Sequence, residues 1–505
     1  MICRIFATLL LLIFPVISPA GPQFATCFGD DSVLQRGETT QVFGFDADPT
    51  TKLMVQFGDH SAEASIQPNG RWNATLKNLA ATDVGLTLKL IENNTVVDAL
   101  SGIVVGDIWI AAGQSNMQMQ VRQMQQGMPP AGDWADSANL PQIRFRRVND
   151  AVNPDQNLES NQLEERAPWL KMTPEHVGHF SAVAAVFARE IATTVKCPIG
   201  IVDLSWGGKP IEPFIPSDHF STPLLRHIKD LADTGKLEEL KSLHGGVIIR
   251  NPEGYPAAIF NARMAPLSEM RIKGFLWYQA ESNAGKGEDP REYREKMTAL
   301  ASGWRERWNQ RELPFYFVQL PAYGPAAGWI RMREEQRRAL ALIPNSAMAV
   351  TIDIKGEGIH PPDKLEVGKR LASCALNHTY GLKHIATTGP VYQSHETDGS
   401  AIVVHFSNTE GGLVVGDRPL FSEVNFTDRK LQWFEVAGED GVWHSASATI
   451  KADTVRVSSL QEPAPVAVRY ACHTNPQGGN LYNRAGLPAS PFCSDLTMLP
   501  WEDQN

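Results

Sequence analysis

From Gly106 to about Thr388 the chain alternates short apolar runs with amphipathic segments, and few architectures accept that pattern. "DIWIAAG", "PIGIVDLSWGG", "IKGFLWYQA", "LPFYFVQLPAYG" and "SAMAVTIDI" read as strands. "HFSAVAAVFAREIATTV", "PREYREKMTALASGWRERWN", "WIRMREEQRRALALI" and "PDKLEVGKRLASCALNHTYG" read as helices. Strand–helix alternation predicts an α/β domain with a parallel sheet covered by helices on both faces. The run from about 216 to 258 fits less well. It holds "LADTGKLEELKSLH" and reads as an excursion near the functional edge of the sheet.

The flanks have a different character. From about Val33 to Val105, segments such as "TQVFGFD", "KLMVQFG" and "LTLKLIENNTVVDAL" alternate apolar and polar residues between Pro, Gly and Asn breaks. This is an all-β module of sandwich type. A β pattern returns after Thr388 in "AIVVHFSN", "TVRVSSL" and "PVAVRYACH". The first twenty residues combine Arg4, an apolar run from Ile5 to Ile17 and the small residues Ser18-Pro19-Ala20, the pattern of a cleaved secretory signal. The expected organisation is a signal peptide over 1–20 and a β module over 21–105. A catalytic domain over 106–388 and a second β module with a tail over 389–505 complete it. A chain of 505 residues is long enough for several cores.

A formal charge of −10 argues against nucleic acid or an anionic membrane as the main partner. No further segment reaches the length of a membrane span. Cys27, Cys197, Cys374, Cys472 and Cys493 remain after the signal segment, without zinc-like spacing. Export permits a Cys472–Cys493 disulfide; buried free thiols are the alternative.

In open parallel sheets functional groups collect at the carboxyl ends of the strands. Four loops there carry candidate residues. Ser115 follows "DIWIAAG", at the start of a helix whose amides would favour an oxyanion. Taken alone, such a serine is an ordinary helix cap. His360, among thirteen histidines, lies just past "AVTIDI" in a glycine-bearing loop and is the best candidate base. The acid orienting it could be Glu357 or Asp353, or a backbone carbonyl could serve. Gly207 and Gly208 permit close backbone approach and an oxyanion amide. Gln279 and Asn283 each offer an NH₂ donor to the same hole. No metal motif and no phosphate-cradling glycine loop occurs, so neither a metal nor another cofactor is expected. The remaining chemistry is nucleophilic acyl transfer.

Four motifs occur in order: "GQSNM", "SWGGKPIEPF", "WYQAESNA" and "IHPPDKLEVGKRLA". Together they resemble the sialate O-acetylesterases, carbohydrate esterases of the SGNH (GDSL-like) hydrolase superfamily. "SVLQRGETTQVFGF" and "RYACHTNPQGGNLYNRAGLPASPF" are similar to the flanks of that family. The resemblance implies a flavodoxin-like catalytic domain that hydrolyses acetyl esters on sugars without metal or cofactor. It casts Ser115 as nucleophile and His360 as base. The amides of Ser115 and of Gly207 or Gly208 then form part of the oxyanion hole, completed by Gln279. The chain departs from the family pattern at Ala280, where glycine is usual, and at Glu357-Gly358, where aspartate is common. "FNARMAPL" is a third departure.

The leading expectation is therefore an exported serine esterase acting on O-acetylated sialic acid through an acetyl-enzyme on Ser115. An esterase of acetylated polysaccharide such as xylan is a second reading. A non-catalytic carbohydrate-binding protein, suited by twelve tryptophans and two β modules, is a third.

Overall fold

The computed structural model describes residues 21–125, 129–153, 163, 165–236, 238–239, 254–285, 289–324, 326–356, 358–499 and 501. The signal segment 1–20, Glu357 and most of "LEELKSLH" lie outside the described residues.

The central sheet is built from β1 (Thr95–Gly113), β2 (Leu140–Arg147), β3 (Leu170–Met172), β4 (Ile199–Asp203), β5 (Gly274–Tyr278), β6 (Phe315–Val318) and β7 (Ser346–Ala349). Their order is β3-β2-β4-β1-β5-β6-β7. Every neighbouring pair is parallel except β2–β3. β4 and β5 are buried at every residue, the result of strands packed on both faces and the reason their sequences are continuously apolar. The register sets Asp203 beside Ala111 and Tyr278 beside Gly113, so these strand ends open onto one edge.

The short helix α1 (Ser115–Gln118) follows β1 directly. On one face α2 (Ala182–Val195) and α5 (Lys364–His378) bury Val183, Phe187, Val367 and Leu371 against Ile201 and Leu276. On the other, α3 (Tyr293–Arg307) and α4 (Gly328–Ala339) bury Leu300, Trp304 and Met332 against Phe275 and Phe317. Ser181 caps α2 by accepting from Ala184 N at 3.2 Å, and Asp363 caps α5 by accepting from Glu366 N at 3.0 Å. Among the described residues, no helix is long and apolar enough to cross a membrane.

The flanks are β-rich. One four-stranded sheet contains Gly37–Phe45 and Trp72–Leu79, while Thr82–Glu92 pairs antiparallel with the first half of β1. β1 is thus one strand running from the N-terminal module into the central sheet, across positions 105 and 106. After α5 come antiparallel sheets led by Val391–Asp398 with Ala401–Ser407 and by Phe434–Ala437 with Ala467–Tyr470, around a separate core. Two features escape the sequence pattern. β2, "LPQIRFRR", buries Arg144 and Arg146, and within the 216–258 excursion an α-helix spans Pro223–Asp233. Among the described residues, Cys27, Cys197, Cys374, Cys472 and Cys493 are all buried and unbridged, so the Cys472–Cys493 disulfide is absent.

Candidate active site

β1 ends in a turn that only a residue without a side chain enters easily. Gly113 has φ of 134°, and a Cβ there would collide with the Tyr278 carbonyl of the neighbouring strand. Gln114 N donates to that carbonyl at 3.0 Å. Gln114 takes the N-cap position and Ser115 is the first helical residue, so the hydroxyl is free for another partner. That partner is His360: Ser115 Oγ and His360 Nε2 lie 2.8 Å apart. The helix holds four residues, so its electrostatic help to the hydroxyl is that of a few local amides.

His360 reaches the serine from a loop fixed on both sides. Asn116 Nδ2 donates to the Ile359 carbonyl at 3.0 Å, and Asp363, which caps α5, accepts from Arg418 at 2.8 Å. Burial, reinforced by the nearby Lys364 ammonium, holds the imidazole below its ordinary range. Asp353 is occupied elsewhere. Its two oxygens accept from Arg370 at 2.7 and 2.8 Å, an ion pair that docks α5 against the end of β7. Among the described residues no carboxylate hydrogen-bonds the His360 ring, and Glu357 lies outside them.

The Gly207-Gly208 loop abuts the serine. A Cβ on Gly207 would come within 3.5 Å of Ser115 Cβ, and Gly208 has φ of 70°. The Gly207 amide points to this side and donates to Gln118 Oε1 at 2.7 Å. Ser115, Gln118, Met119, Gln120, Gln123 and His360 together line a cavity of about 400 Å³. This falls in the usual range for small-molecule sites.

Gln279 and Asn283, expected to donate into the oxyanion hole, have their carboxamides committed inside the protein. Gln279 Nε2 donates to Gln114 Oε1 and Asn283 Oδ1, both at 2.9 Å, and to Lys209 O at 3.2 Å. Its oxygen accepts from Tyr293 OH at 2.5 Å. Asn283 Nδ2 donates to both oxygens of Glu212 at 3.2 Å, and Lys296 Nζ pairs with the same carboxylate at 2.7 Å. Both amides form a buried platform under the serine loop, because each finds better partners in the interior than in the cavity. Ala280, between them, is fully buried with φ of 146°, a conformation that favours glycine.

Three residues near the pair were not singled out from the sequence. Asn116 and Lys364 are fully buried, and Gln118 faces the cavity. The first two sit inside the quoted motifs, one beside Ser115 and the other four residues past His360. Both would have stood out as polar residues at apolar positions.

The region matched by a known family contains both Ser115 and His360. The family model described as carbohydrate esterase, sialic acid-specific acetylesterase, matches residues 105–377. A sialate O-acetylesterase of Rattus norvegicus is 26% identical over 543 residues, covering 97% of each chain. That of Homo sapiens is 27% identical over 428 residues, covering 78% of this chain and 76% of its own. The crystal structure of a carbohydrate acetylesterase from Xanthomonas citri superposes with a TM-score of 0.80 at 31% identity, covering 94% of this chain and all of that one. Fold, site and relatives define a carboxylic ester hydrolase of the carbohydrate-esterase kind. The chain belongs to the family of sialic acid-specific acetylesterases, and its chemistry is carbohydrate O-deacetylation.

Proposed function

We propose that the protein removes O-acetyl groups from sialic acid through an acetyl-enzyme on Ser115. The observation that carries this reading is the 2.8 Å contact between Ser115 Oγ and His360 Nε2 in a cavity lined also by Gln118, whose Oε1 accepts from the Gly207 amide. Ser115 Oγ attacks the acetyl carbonyl as its proton passes to His360 Nε2, and the carbonyl electrons move onto oxygen. The backbone amides of Ser115 and Gly207 receive that oxyanion, with Gln118 Oε1 giving up the Gly207 N–H. Collapse breaks the bond to the sugar oxygen, which takes the proton from His360. Water, deprotonated by the same imidazole, then attacks the acetyl carbon; the bond to Ser115 Oγ breaks as that oxygen takes the proton back from His360, and acetate leaves. Six parallel strands with the pair at their carboxyl edge support the SGNH, flavodoxin-like reading of the domain. The names of the relatives support sialic acid as the sugar. The apolar run and small residues of 1–20 support export.

Turnover of an aryl acetate, of O-acetylated sialic acid and of acetyl-xylan tests the reading. Ser115→Ala should abolish all of it, and the sialic acid ester should be the best natural substrate. Undiminished turnover by Ser115→Ala would falsify the mechanism; faster release from acetyl-xylan would transfer the enzyme to polysaccharide. Mass spectrometry of the secreted protein should find a mature N-terminus near Gly21.

A further inference from the structure

Beneath the Ser115–His360 pair lies a buried polar chain that the steps above leave unused. Asn116, Glu281 and Lys364 are 0%, 4% and 0% exposed. Asn116 Nδ2 donates to the Glu281 carboxylate and, at 3.0 Å, to the Ile359 carbonyl. Asn116 Oδ1 accepts from Lys364 Nζ. A lysine ammonium can only donate, so the Asn116 oxygen must face it and the NH₂ must face Glu281 and Ile359. The orientation of the amide is thereby fixed by charge. One side chain, adjacent to the serine, is gripped by the loop after β5, by the histidine loop and by the first residue of α5. Lys364 Nζ also lies 5.2 Å from the centre of the Tyr278 ring.

Apolar packing would tie these loops at lower desolvation cost than two buried ionisable groups bridged by an amide. What packing cannot supply is a fixed donor for Asn116 and a positive charge near the imidazole. The groups facing that charge are Glu281, Asp363, Tyr278 and His360. Burial pushes the Lys364 ammonium down to about 7, opposed by Glu281 and Asp363. Burial likewise raises Glu281, opposed first by its bond from Asn116.

We infer that Lys364 is a positioning residue that holds Ser115 and His360 in register through Asn116, with Glu281 as its buried counter-ion. The inference rests on Ser115 and His360 being the reacting pair. Two separable effects follow. Loss of the Asn116 link lets the two loops drift, and a displacement of about 1 Å costs roughly 100-fold in rate. Loss of the cation removes a repulsion from the imidazolium, so the histidine protonates at higher pH.

The test uses the full chain, with aryl acetate turnover followed from acid to alkaline pH and folding checked by circular dichroism. Lys364→Met should lower kcat by roughly 10- to 100-fold at nearly constant KM and move the acid limb of kcat/KM to higher pH. Asn116→Ala should lower kcat comparably but leave the limb in place, because the cation remains. If Lys364→Met does not fold, the double variant Lys364→Met/Glu281→Gln, which leaves no unpaired buried charge, carries the same expectation. Folded lysine variants with wild-type kcat or an unmoved limb overturn the inference, as does wild-type kcat in Asn116→Ala. Retained turnover in Ser115→Ala is a different failure, of the reacting pair itself.

Discussion

At the amino edge of the central sheet Asp107 is fully buried. It accepts from Gln35 Nε2 at 2.8 Å, Arg36 Nε at 3.0 Å, Arg36 Nη2 at 2.8 Å and Tyr380 OH at 2.9 Å. At the carboxyl edge of the same strand, Ser115 has His360 as its side-chain partner. Nearby, Tyr278 OH and Glu281 Oε2 are buried without a hydrogen bond among the described residues. Lys364 is held below its ordinary range and Glu281 above it. Both edges bury charge, but one saturates it and the other leaves it under tension. Saturated polarity holds elements together; perturbed, incompletely paired polarity at strand ends is the signature of chemistry.

That contrast can be broken by mutation. The largest effect belongs to the carboxyl edge: Ser115→Ala should cut kcat by about 10⁴-fold or more while thermal unfolding stays unchanged. His360→Asn should act nearly as strongly. A large loss of stability in either would mean that the pair is structural after all. At the amino edge the roles should reverse. Asp107→Ala strands the Arg36 guanidinium and two other donors, Gln35 Nε2 and Tyr380 OH, and should cost roughly 3 kcal/mol in urea unfolding. Its kcat per folded molecule should match the wild type, and a catalytic defect there would erase the distinction between the edges.

A pH profile sharpens the same contrast. Only neutral imidazole can take the serine proton, and burial with the Lys364 charge lowers the pKa of His360. The neutral form therefore persists to lower pH, and the acid limb of kcat/KM should fall below about 6.5, the ordinary imidazole value. A limb at or above that value would remove the electrostatic difference between the edges. The smallest effect is expected at Ala280, where the backbone adopts φ of 146°. Ala280→Gly should stabilise the protein by about 1 kcal/mol through relief of strain, with turnover little changed.

Much of the parallel sheet was legible because its strands are buried on both faces and so read as unbroken apolar runs. Ser115 and His360 were legible for a positional reason: each stands just beyond such a run. β2 was not, since "RFRR" looks like surface until Arg146 is seen donating to the backbone carbonyls of Ala167 and Glu165. Gln279 and Asn283 were recognisable as donors, but a sequence does not say where an amide points. Their partners Gln114, Lys209 and Glu212 come from other loops. Lys364 and Asn116 are 248 positions apart, and only the fold brings them together.

The 19 residues of β1 have a contour of roughly 60 Å, interrupted by the positive φ of Gly102, from the tip of the N-terminal hairpin to the doorstep of the nucleophile. A chain cut at position 105 would start in mid-strand, stripped of the partners that Val33–Gln35 and Thr82–Glu92 provide. The N-terminal module is thus less an attachment than a splint. Its shuffling onto another scaffold, or its loss in evolution, would require rebuilding the very strand that carries the serine.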